Sequence, residues 1–215
     1  MEQRLAYLAD RLRDVAAFGL RFSQNPYDRA HFQTVQDVAV ELFALATQES
    51  LEQFEPLRAA VLSRPTPFAV GDAAVMDADG RLLLIRRADN GLWAMPGGAL
   101  EVGETPAEGV EREAYEETGV RCRALRLIGV FDSRLCGSVT RHHLYHLQFL
   151  CRPVDLKNEG QGSHHQEVLA LGWFSQDALP PDLDPGHASR IPEAFRVWAG
   201  DTRAFFDGTP VVREP

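Results

Sequence analysis

Residues Gly98 to Val120 read GALEVGETPAEGVEREAYEETGV, and this stretch decides the chemistry and the local fold. Written as a pattern it is G-x5-E-x7-R-E-U-x-E-E-x-G-U, with U aliphatic. Gly98, Glu104, Arg112, Glu113, Glu116, Glu117 and Gly119 take the fixed positions, and Ala114 and Val120 the aliphatic ones. Thr105-Pro106 is a helix start and Gly119 a helix stop, so the spacing predicts a helix over Thr105 to Thr118. On that helix Glu113, Glu116 and Glu117 stand at i, i+3 and i+4, which brings three carboxylates to one face within a turn. Like charges so placed repel, and a hard cation with oxygen ligands relieves the repulsion. Magnesium (Mg2+) is the expected ion, since it prefers octahedral oxygen ligation and completes its shell with waters and substrate phosphates. Manganese (Mn2+) is the alternative.

A charged run of this kind also suits the solvated face of an amphipathic helix. Two neighbouring features favour the metal reading. Ala94-Met95-Pro96-Gly97-Gly98 lies just upstream, and paired glycines let a backbone turn sharply and present its carbonyls and amides to a ligand. Glu104 and Arg112 are also spaced to pair across loop and helix, fixing the loop against the acidic face.

Residues 98 to 120 resemble a complete Nudix box, and the order of elements around it is similar to that of the Nudix hydrolases, which cleave nucleoside diphosphates linked to another moiety. The resemblance implies that Glu113, Glu116 and Glu117 hold the metal ions and that the Gly97 carbonyl adds a ligand. It makes Gly98, Glu104 and Arg112 structural support. The N-terminal string Gly19-Leu20-Arg21-Phe22-Ser23-Gln24-Asn25-Pro26-Tyr27-Asp28-Arg29 resembles the extension of a bacterial Nudix subgroup associated with nucleoside diphosphate-X substrates, including CDP-choline and ADP-ribose. That second resemblance implies a two-domain hydrolase and a homodimer.

The rest of the chain accords with these expectations. With 215 residues, a net charge of -9 and a pI near 5.2, it has length for a full core but no excess of cations for a nucleic-acid surface. No apolar stretch is long enough to cross a bilayer, and no signal-peptide pattern opens the chain. Cys122, Cys136 and Cys151 are odd in number and lack metal or redox spacing, so the expected compartment is the reducing cytoplasm.

A boundary is expected at Ser63-Arg64-Pro65-Thr66-Pro67, dividing an all-helical N-terminal domain, 1–66, from a catalytic domain, 67–215. Before it, Leu5, Leu8, Leu12, Val15, Gly19 and Phe22 mark one apolar helix face. Asp28 is the expected cap of a second helix carrying Phe32, Val35, Ala39, Leu42 and Leu45, and a third runs through Leu51, Phe54, Leu57 and Val61. So thin a helical core is expected to dock on the second domain, on a partner subunit, or on both. Beyond the boundary, Phe68 to Met76 and Arg81 to Arg87 read as a hairpin closed by Asp77-Ala78-Asp79-Gly80. Ala124 to Phe131, His143 to Cys151 and Glu167 to Trp173 are further strands, and Pro192 to Ala199 a closing helix. Mixed strands with helices on either side give an α/β class, a Nudix-like α/β/α sandwich with a mixed sheet.

The expected reaction is attack of water on one phosphorus of a diphosphate. Glu116, Glu117 and the distant Glu167 are the candidates for the base that activates it. Arg86 and Arg87 are candidate phosphate clamps, and Phe131 and Tyr145 candidate base-stacking residues. His164 and His165 are further candidates for base or substrate contact, Trp93 for support of the Pro96-Gly97-Gly98 turn ahead of contact with a nucleobase, and Arg141 and His142 for a loop over the pocket. The partner is a nucleotide-derived small molecule, with no membrane and no nucleic acid expected. A nucleotide-sensing module without turnover and an RNA 5'-end pyrophosphohydrolase are the competing readings.

Overall fold

The computed structural model describes residues 2–58, 62, 67–139, 143–157, 159–160 and 162–208. It separates into two compact units, Met1–Thr66 and Pro67–Pro215.

The first unit holds α1 (Glu2–Phe22), α2 (Pro26–Thr47) and α3 (Leu51–Leu57). The buried side of α1 is Ala9, Ala16 and Gly19, and α2 buries Gln36, Ala39, Val40 and Ala44. Of the expected face Gly19 is buried and Leu5, Leu12 and Phe22 are half-buried, whereas Leu8 and Val15 are 38% and 54% exposed. Small residues let two helix backbones approach closely, so they take the seam and displace the bulky ones outward. Asn25, rather than Asp28, caps α2, its side chain accepting the Tyr27 N–H at 2.9 Å with Pro26 at the first helical position. Val61 lies outside the described residues. A Cβ on Gly19 would fall 2.2 Å from ring carbons of Phe32. Overpacking of that kind costs about 1–3 kcal/mol, against a helix-propensity gain of about 1 kcal/mol for alanine. Gly19→Ala is therefore expected to lower the thermal midpoint seen by helical circular dichroism; a raised midpoint means that Phe32 moves aside freely.

In the second unit a five-stranded sheet runs in the order β4 (Gly97–Ala99), β1 (Phe68–Val75), β6 (Leu144–Asp155), β5 (Arg121–Asp132), β8 (Phe205–Phe206). A three-stranded sheet has β3 (Trp93–Ala94), β2 (Leu82–Arg87) and β7 (Val168–Phe174) in the order β3-β2-β7. The larger sheet is mixed: β1 is parallel to β6 and antiparallel to β4, and β5 is antiparallel to β6. The Asp77–Gly80 turn does join β1 to β2, but among the described residues the two strands pair only through the Met76–Leu82 bridge and then part into different sheets. Both strands are buried on two faces, so neither shows the polar alternation of an ordinary hairpin.

Alternate residues of β1 and β2 feed two cores. Ala73, Val75 and Leu83 pack with Val110 and Ala114 of α4 (Pro106–Thr118), joined by Val120, Cys122 and Cys151. Ala74, Met76, Leu82 and Leu84 pack with Ile191, Ala194, Phe195 and Val197, all on α6 (Ile191–Trp198). The result is the α/β/α layering expected, with α4 on one side of the strands and α6 on the other. A short helix, α5 (Pro185–Ala188), precedes α6. Strands β3, β4 and β8, of two or three residues each, are too short to carry a periodic signal. The three cysteines are free and buried.

Candidate active site

Helix α4 forms where the Thr105-Pro106 and Gly119 signals place it. Thr105 Oγ1 accepts the Glu108 N–H at 3.2 Å and Glu108 Oε2 accepts the Thr105 N–H at 2.8 Å, a closed capping box. Gly119 ends the helix at φ 73°. Val110 and Ala114 anchor one side in the core, which turns Glu113, Glu116 and Glu117 toward the strand β4 and the loop after β6.

Arg112 organises the acidic face more widely than the expected single pair. It donates to both oxygens of Glu104, at 3.0 and 2.8 Å, and one of the same guanidinium nitrogens reaches the Ala99 carbonyl at 3.2 Å. The remaining nitrogen donates to Glu113 at 2.8 Å and to Glu116 at 3.0 Å. Hydrogen bonding to Glu104, with Glu113 and Glu116, raises the Arg112 pKa, while Arg112 holds Glu104 below the usual carboxylate range. Glu104 also accepts the Glu101 N–H at 2.7 Å, which fastens the loop to the helix. Gly98 pairs with Gly71 on β1, and a Cβ there would fall 2.6 Å from the Glu113 carboxylate.

Glu117 has a different setting. Its Oε2 accepts the Gly97 N–H at 2.8 Å, and its pKa is pushed up to about 8. Burial is the main cause, opposed by the Gly97 hydrogen bond and reinforced by the nearby Glu113 and Glu167 charges. Burial likewise raises Glu113. Glu117 lines a cavity of about 450 Å3 together with Arg87, Asp89, Gly97, Glu167 and His187. Glu167 arrives from far along the chain because the loop after β6 is tied to the end of α4. The N–H groups of Gly160 and His164 donate to the carbonyls of Thr118 and Glu116, both at 2.7 Å. These are carbonyls that a helix C-terminus leaves without partners.

The other expected contacts divide. A bulge between Arg86 and Arg87 on β2 turns Arg87 into the cavity, where it pairs with Asp89 at 2.7 Å, whereas Arg86 donates to the Gly91 carbonyl at 2.8 Å and is not on the cavity wall. Phe131 is only 2% exposed and stacks on Phe205 at 4.5 Å, so its ring face is already covered. Tyr145 lines a separate hollow of about 570 Å3 with Asp132, Arg134 and Phe206. His164 Nδ1 lies 3.8 Å from Glu116, and Trp93 packs edge-on against Phe174 in the core. Arg141, His142 and the His165 side chain lie outside the described residues. His187, which the sequence did not single out, is a cavity residue; its only sequence signal is Asp184-Pro185, a cap and first position of a short helix.

Among the described residues no three acidic, histidine or cysteine side chains converge as a metal cage. The donor set nevertheless fits a hard divalent cation. Its members are oxygen donors, and Glu117 is a half-buried carboxylate whose raised pKa a positive charge beside it would bring back down. Glu113 and Glu116 stand with Arg112 and would exchange it for the ion. A pKa raised in the fold means that folding favours the protonated acid. The Glu117 contribution to the stability of metal-free protein is thus full below about 4.5 and is lost as pH rises through about 8. Thermal midpoints recorded in chelator are expected to fall over that window and to recover on adding magnesium; a flat profile means that Glu117 is solvated.

The NUDIX domain family matches residues 65–194, and a second family, described as UDP-X-like, N-terminal oligomerisation domain, matches residues 3–57. A Bacillus subtilis (strain 168) protein named "Putative ADP-ribose pyrophosphatase YjhB" is 33% identical over 174 residues, 80% of this chain and 81% of that protein. A crystal structure of a UDP-X diphosphatase superposes with a TM-score of 0.58 at 27% identity, covering 94% of this chain and 97% of that one. An ADP-ribose pyrophosphatase from Streptococcus suis 89-1591 aligns with a TM-score of 0.53 at 28% identity over 63% of this chain and 95% of its own. The chain belongs to the Nudix family. Within it, the protein is a pyrophosphohydrolase that carries an N-terminal oligomerisation domain.

Proposed function

We propose that the protein hydrolyses the diphosphate bond of nucleoside diphosphate-X compounds, of the ADP-ribose, CDP-choline or nucleotide-sugar type, with magnesium as its ion. The reading rests on one observation: Glu117, Glu167 and Arg87 line one cavity beside the Gly97 turn. Glu113, Glu116, Glu117 and the Gly97 carbonyl are the proposed metal-holding groups. Bound there, the cation supplies charge neutralisation to the linked phosphates. Arg87 holds a phosphate oxygen by a charge-assisted hydrogen bond, for which it leaves Asp89. Glu167 accepts the proton of the attacking water, since it reaches the cavity without a place in the acidic cluster of α4. Glu104, Arg112 and Gly98 keep loop and helix in register.

The 1–66 unit is proposed as a separate domain that joins two copies of the chain. In support, its seam uses small residues and leaves Tyr7, Leu8, Val15 and Phe18 exposed on α1, and its family match is an oligomerisation domain. The matched relatives named for ADP-ribose and UDP-X bring those compounds to the front of the substrate panel. Free, buried thiols accord with a cytoplasmic setting.

Purified protein incubated with ADP-ribose, CDP-choline, nucleotide sugars, nucleoside triphosphates and 5'-triphosphorylated RNA in heavy-oxygen water tests the proposal. Expected is a nucleoside monophosphate from one of the first three groups, with one product carrying the solvent oxygen. If all compounds remain intact with magnesium and with manganese, the hydrolase reading fails; tight binding without turnover points instead to a sensing module.

A further inference from the structure

His187 lines the cavity from the segment Asp182 to Arg190, and the conformation of that segment is heavily specified. Trp93 N–H donates to the Asp182 carbonyl and Asp184 N–H to the Trp93 carbonyl, both at 2.8 Å. Asp184 Oδ1 accepts the Gly186 N–H at 2.9 Å, and the Arg190 side chain donates to the Gly186 carbonyl at 2.8 Å. Arg190 in turn is paired with Asp72, a buried carboxylate of β1 that also meets His146 Nδ1 at 3.1 Å. His187 stands in the middle of this frame.

Its ring has one contact that settles its tautomer. Nδ1 lies 3.2 Å from the Met95 N–H, and because a backbone amide can only donate, Nδ1 is the acceptor and the ring proton is on Nε2. Burial, and then the neighbouring Arg190 charge, push the His187 pKa down to about 3, so the ring stays neutral. No acceptor for the Nε2–H is found among the described residues, although the ring lines the cavity. The charged part of the wall is Asp89, Glu117 and Glu167 against Arg87, with the uncharged Met95 and Gln166 beside them. A phosphate oxygen belongs near Arg87 and the cation. A neutral donor set among carboxylates suits an uncharged oxygen.

Resting on the function proposed above, we propose that His187 is a specificity-determining residue whose Nε2–H donates to an uncharged carbonyl or hydroxyl oxygen of the bound nucleotide. The Met95 contact gives this donor its direction before any ligand arrives, so little ordering cost is left for binding. An apolar or donor group at the same place leaves the imidazole N–H buried without a partner, which is the means of discrimination.

His187→Asn separates this role from simple support of the loop. Its amide oxygen can still accept the Met95 N–H, while the Nε2 donor is lost. Binding of AMP, CMP, UMP, GMP and inorganic pyrophosphate is measured by calorimetry in magnesium. Expected is a loss of about 10- to 100-fold for the nucleotide that the wild type binds tightest, with pyrophosphate within about 2-fold. Unchanged nucleotide binding, or an equal loss for nucleotide and pyrophosphate, overturns the proposal. Should the variant not fold, the wild-type His187 Nε2–H resonance is followed by NMR as the same nucleotide is added. A shift with slowed solvent exchange is expected, and an unmoved signal overturns the assignment. Wild-type turnover of the diphosphate panel is scored in parallel. No turnover there withdraws the hydrolase reading, whereas turnover together with an unaffected variant removes only the role of His187.

Discussion

Glu117→Gln is expected to lower kcat about a thousandfold while leaving the metal-free fold at least as stable as the parent. The amide keeps an oxygen for the Gly97 N–H, now made at 2.8 Å, so the turn before the helix is retained. The lost charge belongs to the site alone. Glu117 is the half-buried acid whose pKa is raised to about 8, and an uncharged side chain removes its desolvation cost when pH is high. The pH-dependent fall in thermal midpoint in chelator should therefore shrink in the variant. Glu116→Gln is expected to reduce kcat strongly as well. Glu104→Gln is expected to cost less, because Glu104 pairs with Arg112 and is not one of the proposed metal-holding groups. Steady-state kinetics and melting curves on the same samples check the whole pattern. Equal kcat losses at 104, 116 and 117 contradict the division of roles.

Gly97→Ala is expected to damage fold and activity together. Gly97 lies opposite Asp72 in the β1 and β4 pairing, and a Cβ on it would fall 2.3 Å from the Gly71 carbonyl oxygen and 2.9 Å from Asp72 Cα. Both obstacles are backbone atoms, so no rotamer change relieves them; the strand must move. A penalty of about 3 kcal/mol follows from overpacking of this kind, or about 6–12 °C in thermal midpoint for a domain of this size. Moving β4 also carries the Gly97 N–H and carbonyl away from Glu117. Magnesium affinity, followed by calorimetry, should fall along with kcat. Near-parental stability and activity would mean that β4 is free to slide, which the pairing of three consecutive residues with β1 argues against.

How much of the site was legible in the chain follows from the range of each signal. Helix α4 was readable to within a residue at either end, because its capping box, proline and terminal glycine are local chemistry. Its i, i+3, i+4 acids were readable for the same reason. Phe131 and Arg86 were misplaced for a shared cause. Strand β5 bulges between Leu127 and Gly129, and β2 between Arg86 and Arg87, and a bulge reverses which residues of an alternating pattern face a given side. Nor does periodicity show that β1 and β2 part into two sheets, since strands buried on both faces carry no alternation to follow. On α1 the expected face held Gly19, but Ala9 and Ala16 share the seam with it while Leu8 and Val15 face outward, because a close helix pair selects small side chains and hydrophobicity alone does not report size.

The order of residues alone determined the acidic helix, its caps, the glycine turn before it, the Glu104 and Arg112 pairing, and the α/β/α class with a helical segment ahead of it. All of these depend on neighbours within a few turns or on patterning that a strand or helix carries along its own length. Tertiary structure alone decided that Arg112 spans Glu104, Glu113 and Glu116, that Glu117 lines the cavity, and that Arg87, Glu167 and His187 share it. Burial and mutual approach of residues from opposite ends of a domain are set by how the layers pack, and a pKa of about 8 on one glutamate among three arises from that packing.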